Sequence, residues 1–351
     1  MNKSNLRILA AVSIALVLIL FALQLNHEDS STNGRLLLPE LKSHVNDIDS
    51  LTVTRAGDDG AIKIVKQDEN WVIASRDNYP ADIGKLRELL LALTDAKIVE
   101  QKTANPEFYD QLGLRDPEVE GSKGTRIELH GAGEEYELII GNAAQAGFRY
   151  VRTGDDPQSW LIDKNPDIPA STGEWLVRNI IDVKAADIRS VTISHPDGEE
   201  IRIEKPNAEG TGFEVTNLPA GRELTYATVT NSTTGVLSTL TLDDVRKAGK
   251  VPADAVTTTF ETFDGTRIVV ETEKSGDESW ISLQATALES GDAAANEAEA
   301  QESDSDDDAE DQVESVDAIN ARVMGWQFKI PQYKANQLTR RWDDILKAET
   351  E

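Results

Sequence analysis

Two stretches of the chain alternate apolar and polar residues in the same way. "DIDSLTVTRAGDDGAIKIVKQDENWVIAS" begins at Asp47, and "DIRSVTISHPDGEEIRIEKPNAEGTGFEVTN" begins at Asp187. Each contains two alternating segments joined by a turn rich in Asp and Gly, and then a third segment led by Trp71 or Phe213. Apolar residues at every second position around such turns are typical of antiparallel hairpins. The pattern therefore predicts the same three strands in both stretches.

A helical pattern follows each set of strands. In "YPADIGKLRELLLALTDAKIVE" the apolar residues at one-face helical spacing are Leu86, Leu89, Leu90 and Leu93. In "YATVTNSTTGVLSTLTLDDVRKAG" the corresponding apolar residues are Val236, Leu237 and Leu240. Thr and Ser dominate the second segment, and both favour helices less than Leu and Ala do. The spacing predicts a helix in both stretches, with the weaker helix in the second.

The two stretches also close in corresponding ways. Further strands lead to "SWLIDKNPDIPASTGEWLVRNIIDVKA" in the first stretch and to "GWQFKIPQYKANQLTRRWDDILKAE" in the second. Each closing segment has a Trp-led strand, a break with proline, and a helix with a Trp and an apolar pair. Trp160 then corresponds to Trp326, and Trp175 corresponds to Trp342.

These patterns predict an α+β fold built from two tandem pseudo-repeats after one N-terminal transmembrane helix. Each repeat is expected to be a mostly antiparallel sheet with flanking helices. Repeat 1 is expected over residues 45–184 and repeat 2 over residues 185–348.

The N-terminal segment is long and apolar. Between Ile8 and Leu25 the chain reads "ILAAVSIALVLILFALQL", without a charge. A helix over this segment is about 27 Å long, close to the bilayer core of about 30 Å. A cleaved signal peptide is the alternative, but its apolar core is usually shorter and ends in small residues at a cleavage site. We therefore expect residues 1–25 to hold a short cytoplasmic tip and an uncleaved anchor.

The charges around this segment predict its orientation. Lys3 and Arg7 precede it, whereas Glu28 and Asp29 follow it. Because positively charged flanks stay in the cytoplasm, the N-terminus is expected there. The protein is then a single-pass protein of the bacterial inner membrane, with the bulk of the chain in the periplasm. Residues 26–44 are polar enough to form a flexible stalk.

The chain is strongly acidic, with a formal net charge of −28 at pH 7. Such a charge repels phosphate groups, so nucleic acid is not an expected partner. No Lys or Arg occurs from Glu289 to Asp317, and because repeat 2 closes after this run, we predict an acidic disordered insertion at about residues 287–320. A calcium loop of the EF-hand type is disfavoured, because Ala309 and Ser315 stand where Gly and Glu are required. Weak, diffuse binding of divalent cations is the alternative.

The residues that usually perform chemistry form no known pattern. The chain has no cysteine, which excludes disulfides, thiolate metal sites and thiol catalysis. Its histidines lack the spacing of a helical zinc site: His27, His44, His130 and His195. His130 and His195 are expected at solvated turns. "GAG", residues 131–133, precedes Glu-Glu rather than a helix, so it is no dinucleotide fingerprint. We assign no catalytic, cofactor-binding or metal-binding residue and expect no cofactor.

Aromatic and basic residues leave two further alternatives. Most tryptophans coincide with strand starts or helix faces, where aromatic rings anchor a core, although stacking on carbohydrate is the alternative. The tryptophans are Trp71, Trp160, Trp175, Trp280, Trp326 and Trp342. Arg340 and Arg341 are expected on a solvated helix face, with a partner contact as the alternative.

Several short motifs together resemble a known family. The order of "PADIGKLRELLLAL", "LGLRDP", "LIIGN" and "YVR", with "FKIPQYKANQLTRRWDDIL" near the end, resembles the bacterial domain-of-unknown-function family 4340. The resemblance covers most of residues 45–346. The chain departs from the family at "FYDQLGLRDP", where members more often have Tyr directly before Gly-Leu. Its second repeat lacks both the "GL…P" and "IG" loops, so if these loops bind a ligand, the first repeat is the candidate.

The resemblance implies a membrane-anchored extracytoplasmic protein encoded beside a gliding-motility-type ABC transporter, with no established activity, cofactor or catalytic residue. We therefore expect a non-enzymatic, inner-membrane-anchored periplasmic accessory or scaffold protein of such a system. Its expected partners are the ABC transporter permease and a gliding-type auxiliary subunit. The alternative is an extracytoplasmic module that binds a glycan, peptide or cation in a cleft between the repeats. An enzyme of unrecognised type is a third hypothesis.

Overall fold

The computed structural model describes the chain from residue 33 to residue 348, except for residues 58–59, 155, 211 and 289–313. The predicted anchor Ile8–Leu25 and most of the acidic insertion lie outside the described residues. Within the part of the chain that is described, no helix is long and apolar enough to cross a membrane.

The chain divides into two compact units. Unit 1 contains the residues up to Glu69 and the segment Ile83–Ile168, and unit 2 contains Asn70–Asp82 and the residues from Pro169 onward. Unit 2 thus includes residues 70–82 and 169–184, which the sequence pattern places in repeat 1. Contacts between these two segments and with the rest of unit 2 account for the difference.

Unit 1 is built on a sheet whose strand pairings are all antiparallel. Strands are numbered along the whole chain, so β3 and β4 fall in unit 2. The strands of unit 1 are β1 (Ser50–Arg55), β2 (Ile62–Gln67), β5 (Ile98–Gln101), β6 (Thr125–Gly131), β7 (Glu134–Ala143), β8 (Arg149–Thr153) and β9 (Ser159–Ile162). Their order across the sheet is β2-β1-β6-β7-β8-β9-β5.

The core of unit 1 follows from the alternation along its strands. Leu51 lies opposite Ile64 on β2 and opposite Leu129 on β6, and all three are buried. Cross-strand rows of this kind stabilise a sheet because apolar side chains on one face meet directly. The helices of unit 1 are α1 (Pro39–His44), α2 (Ile83–Thr94) and α3 (Tyr109–Leu112). Helix α2 buries all four leucines of the predicted apolar face, which confirms that helix.

Unit 2 contains a second antiparallel sheet, with the order β13-β12-β11-β16-β17-β18-β19-β15. Its strands are β11 (Ile188–Ser194), β12 (Glu200–Glu204), β13 (Glu214–Val215), β15 (Asp244–Lys247), β16 (Val256–Thr262), β17 (Thr266–Ser275), β18 (Glu278–Ala287) and β19 (Trp326–Ile330). Two short pairs lie outside this sheet order: β3 (Asn70–Ile73) with β4 (Tyr79–Pro80), and β10 (Asn179–Ile181) with β14 (Leu240–Thr241). The strand order from β12 to β15 is the same as the order from β2 to β5 in unit 1. In this comparison β12, β11, β16, β17, β18, β19 and β15 correspond to β2, β1, β6, β7, β8, β9 and β5. The mostly antiparallel α+β class is confirmed.

The helices of unit 2 are short. They are α4 (Asn231–Thr234), α5 (Val316–Val323), α6 (Gln332–Leu338) and α7 (Trp342–Ile345). The second predicted helix was expected across the Thr-rich segment, but only α4 forms there. The Thr234 hydroxyl donates to the carbonyl of Asn231 at 3.1 Å, a local bond that competes with helix extension. Leu240 is buried as a strand residue instead.

The predicted acidic insertion ends earlier than expected. Residues 287–320 were expected to be disordered, but α5 begins at Val316. The Ser315 hydroxyl caps this helix by accepting from the backbone N–H of Ala318, and Ile319 is buried on its inner face. The side chain of Asn320 pairs with both backbone groups of Ala285 on β18. Capping, burial and this pairing order the last residues of the expected insertion.

Contacts of Tyr79 explain why residues 70–82 belong to unit 2. Its ring lies edge-on to Trp326, with 4.9 Å between ring centroids, and its hydroxyl donates to the carbonyl of Val177 at 3.3 Å. The backbone N–H of Asp82 donates to the carbonyl of Trp175 at 2.7 Å. The β3–β4 segment is therefore packed into the aromatic core of the second unit.

Tyr79 makes the stability of unit 2 sensitive to alkaline pH. Burial raises the pKa of Tyr79 to about 12, although the charge of Arg322 opposes the shift, and the unfolded chain loses this proton near pH 10. The stabilisation is therefore complete below about pH 10 and is lost as the pH rises towards 12. Between about pH 10 and pH 12, the free energy of unfolding measured in urea should fall on the order of 2 kcal/mol more for wild type than for Tyr79→Phe.

The matched control is Tyr226→Phe, because the Tyr226 side chain is 57% exposed. Its pH dependence should follow that of wild type. Parallel curves for wild type and Tyr79→Phe between about pH 10 and 12 would contradict the assignment.

Candidate ligand-binding site

A turn after β5 builds one wall of a cavity in unit 1. A short 3-10 helix, Pro106–Phe108, begins at Asn105, whose side chain accepts from the backbone N–H of Glu107 at 3.1 Å. Helix α3 follows and ends at Gly113, whose φ of 70° lies in the left-handed region. Glycine adopts this conformation without steric cost, so the chain turns sharply there.

The turn is fixed by close contact with β7. A Cβ at Gly141 would lie 2.3 Å from the carbonyl oxygen of Leu112, so only glycine leaves room for the turn. The side chain of Asn142 donates to the carbonyl of Gln111 at 3.2 Å. The motifs "LGLRDP" and "LIIGN" are thus two sides of one packing contact. This contact explains why glycine is required at positions 113 and 141.

Arg152 on β8 lies behind this turn and is only 7% exposed. One terminal nitrogen donates to Asp116 at 2.9 Å, and the other donates to the carbonyl of Gly154 at 2.9 Å. The guanidinium carbon lies 5.1 Å from the ring centroid of Tyr109. Its Nε–H is buried and has no hydrogen-bond partner among the described residues. A buried cation with an unused donor is costly unless it is compensated.

The neighbouring charges are paired more completely. Arg126 contacts Asp116 at 3.3 Å, Glu137 at 3.3 Å, and both carboxylate oxygens of Glu118. The hydrogen bonds from Arg126 lower the pKa of the Glu118 carboxyl. Asp116 accepts from Arg126 and from Arg152 through the same oxygen, Oδ1. The Nε–H of Arg126 is also buried without a hydrogen bond among the described residues. Its terminal nitrogens make three hydrogen bonds to carboxylates, however, whereas those of Arg152 make two hydrogen bonds in all, so Arg152 is the less saturated of the two arginines.

The cavity has a volume of about 380 Å³. Its walls are formed by Pro106, Tyr109, Arg115, Asp116, Val119, Arg152 and Pro157. Val119 is 37% exposed, and Phe108, next to Tyr109 in the chain, is 47% exposed. A guanidinium at the wall of a small, partly apolar cavity is suited to recognise an anionic group beside an apolar one.

A larger cavity of about 470 Å³ in unit 2 is less promising as a binding site. Two carboxylates in its wall already accept hydrogen bonds from other parts of unit 2. Asp182 accepts from the backbone N–H of Thr239 at 2.8 Å, and Glu314 accepts from Arg322 at 2.6 Å. Both groups are satisfied by the protein itself.

The histidines are placed differently from one another. His195 was expected at a solvated turn, and the turn is present, but the side chain is buried, so that expectation was wrong. Its Nε2 lies 2.9 Å from the carbonyl of Arg340 and donates to it, which ties the turn to the C-terminal segment. His130 is half-exposed at the end of β6, in a group with Glu128 and Glu135. Antiparallel register places these side chains together, and we assign no metal to them.

The arginines near the C-terminus are not on a free solvated face. Arg340 donates to the carbonyl of Val229 and to the hydroxyl of Ser232, and Arg341 donates to Glu199 at 2.6 Å. These bonds attach the end of the chain to unit 2. The expected solvated face was wrong for Arg340, whereas the side chain of Arg341 is 42% exposed and is paired with Glu199.

The tryptophans mostly serve the core, as expected. Trp175 and Trp280 are buried, with 0% and 6% exposure. The half-buried tryptophans are Trp71, Trp160, Trp326 and Trp342. The ring of Trp326 is covered by Lys247, whose Nζ lies 3.4 Å from the ring centroid.

The chain matches a known protein family. A family model described as a domain of unknown function (DUF4340) matches residues 71–262. This range begins in β3, contains the turn of residues 106–119 and Arg152, and ends in β16. No match was found among curated proteins or among solved structures.

Proposed function

This chain belongs to the family described as a domain of unknown function (DUF4340), and on that premise we propose that it is a non-enzymatic accessory or scaffold protein of a gliding-motility-type ABC transport system. The proposed partners are the ABC permease and a gliding-type auxiliary subunit. In this proposal the segment Ile8–Leu25 anchors the chain in the bacterial inner membrane, and the two units lie in the periplasm.

The observation that supports this proposal is the shared strand order of the two sheets. We infer that the units arose by duplication, as two tandem pseudo-repeats. Duplication of an all-antiparallel sheet enlarges a protein surface without requiring a reactive centre. Ionic groups in unit 2 also serve the fold: Glu261 accepts from Arg189 at 2.9 Å and from Arg267 at 2.8 Å, across three neighbouring strands.

Charge supports the proposed location and the choice of partner. Lys3 and Arg7 precede the apolar segment, which favours a cytoplasmic N-terminus. The net charge of −28 disfavours nucleic acid as a partner. The proposed role of the anchor is to associate with membrane subunits, while the body presents its surface to a periplasmic partner.

A second candidate function is an extracytoplasmic ligand-binding module. The specific observation in its favour is the cavity with Arg152 in its wall, because the hydrogen bonds of Arg152 to Asp116 and Gly154 leave part of its donor capacity unused. From the sequence we expected such a site in a cleft between the repeats, whereas this cavity lies entirely within unit 1. The two functions are compatible, because an accessory protein can also bind a ligand.

The transport proposal is tested by purification of the full-length protein. A C-terminal tag, gentle solubilisation and mass spectrometry should recover an ABC permease and a gliding-type auxiliary subunit. A matched variant that lacks Ile8–Leu25 should lose the permease. Recovery of no stable partner by the full-length protein, or equal recovery by both forms, would contradict the proposal.

A further inference from the structure

We propose that the cavity beside Arg152 binds a single carboxylate attached to a small apolar body. This inference rests on the second candidate function, the binding module, and does not depend on the transport partners. The cavity, the burial of Arg152 and the balance of charge around it support the proposal together.

Arg152 is held in place before any ligand arrives. A guanidinium has five N–H groups in a planar fork that matches the geometry of a carboxylate. The hydrogen bonds of Arg152 to Asp116 and Gly154 and the neighbouring ring of Tyr109 fix the plane of this fork. These bonds occupy only part of its donor capacity. A fixed, partly unsatisfied fork binds a carboxylate with little loss of side-chain entropy.

The charges at the cavity wall favour one negative charge. The wall contains two cations, Arg115 and Arg152, and one anion, Asp116. Arg115 contacts Asp110 only at 3.4 Å, and both side chains are exposed, so this ion pair is weak. Among the residues that line the cavity, one positive charge is in excess, and Asp110, just outside the wall, offsets part of it. A carboxylate balances this charge, whereas a phosphate dianion would leave the cavity with a net negative charge.

The apolar residues of the cavity wall indicate the chemistry of the rest of the ligand. Pro106, Val119 and Pro157 are apolar and carry no side-chain donor or acceptor. A volume of about 380 Å³ lies at the small end of the range of ligand pockets. The site therefore fits a short aliphatic group beside the carboxylate. Either a free small carboxylate or the carboxy terminus of a peptide has this chemistry.

The experiment compares a carboxylate with its amide on the full-length protein in detergent micelles. N-acetylvaline and N-acetylvalinamide share the same apolar body and differ only in charge. Isothermal titration calorimetry should show binding of N-acetylvaline and at least about tenfold weaker binding of the amide. The tripeptide N-acetyl-Ala-Ala-Val, titrated in parallel, distinguishes the sources: much tighter binding of the tripeptide indicates a peptide terminus, and equal binding indicates a small carboxylate.

Variants locate the binding in the cavity. Arg152→Lys keeps the charge but removes the fork, and we expect it to weaken binding of the better acid by about tenfold. Because Arg152 is buried, Val119→Glu provides a second test at an exposed wall position, where an added negative charge should weaken binding by a similar factor. Arg202→Lys is the matched control, since the side chain of Arg202 is 55% exposed and lies in unit 2.

Three results would overturn the carboxylate site. They are equal binding of N-acetylvaline and its amide, no heat with either acid, and unchanged binding in Val119→Glu with an unaltered circular dichroism spectrum. None of them bears on the co-purification of an ABC permease. The binding proposal and the transport proposal can therefore fail independently.

Discussion

Gly141→Ala is expected to destabilise unit 1 by about 3 kcal/mol, the upper end of the usual cost of overpacking. The new Cβ would lie 2.3 Å from the carbonyl oxygen of Leu112 and 2.8 Å from Cδ2 of Leu114. The backbone of Leu112 cannot simply move away, because the turn is held by the bond from the Leu114 N–H to the carbonyl of Tyr109 at 2.8 Å. The substitution should therefore displace the turn from β7.

Two measurements check this result. Urea denaturation should give the loss of free energy of unfolding, and limited trypsin digestion should show faster cleavage after Arg115, which lies on the displaced turn. Displacement should also abolish binding of N-acetylvaline. The turn supplies Tyr109 and Asp116, which hold Arg152 in position.

Gly249→Ala is the matched control. A Cβ at Gly249 would meet no atom within 4 Å, and its φ lies outside the left-handed region. This substitution should be neutral or stabilising by a few tenths of a kcal/mol, since alanine reduces the entropy of the unfolded chain. Equal free energies of unfolding and equal cleavage rates in the Gly141 and Gly249 variants would contradict the prediction, because the turn would then accommodate the new Cβ without loss of stability.

Local pattern was sufficient to predict the hairpins and the first long helix. The leucine spacing of α2 determines which face is buried, and the alternation around Leu51 or Val191 determines which strand residues point inward. Both patterns depend on neighbours in sequence. The shared strand order of the two sheets agrees with the repeated pattern along the chain.

The parts that the sequence did not predict depend on distant partners. Residues 70–82 join unit 2 because Tyr79 meets Trp326, a contact that no local pattern encodes. His195 is buried because the carbonyl of Arg340 is brought to it by the end of the chain. In the acidic run, charge composition obscured the short amphipathic segment that forms α5.

The candidate site was only partly accessible to sequence analysis. The loops "GL…P" and "IG" indicated the first repeat as the place for a ligand, and the cavity lies beside those loops. Arg152 itself was missed, because an arginine after Val151 in a strand is usually on the solvated face. Its burial results from the turn that crosses that face, and only the folded chain places Asp116 and Tyr109 around it.

Trp175→Ala is expected to destabilise unit 2 by about 4 kcal/mol, because removal of a fully buried aromatic ring leaves a cavity. Trp175 has 0% exposure, and its carbonyl accepts from the N–H of Asp82. The substitution keeps this backbone carbonyl, so the loss of stability comes from the core around the missing ring and not from the bond to Asp82. The loss in free energy of unfolding is measured by urea denaturation, with the fluorescence of the remaining tryptophans as the signal.

Trp175→Phe separates the ring volume from the indole N–H. The Nε1–H of Trp175 is buried without a hydrogen-bond partner among the described residues, a state that costs about 1–3 kcal/mol in general. Phenylalanine keeps most of the ring volume and removes this donor, so the net loss should be only about 1 kcal/mol.

The control is Trp342→Ala at the position that corresponds in the second repeat. This ring is half-buried, so its loss should cost about half as much as that of Trp175. If Trp175→Phe cost as much as Trp175→Ala, the indole N–H would have to be bonded in the folded protein, and the unsatisfied donor would be refuted.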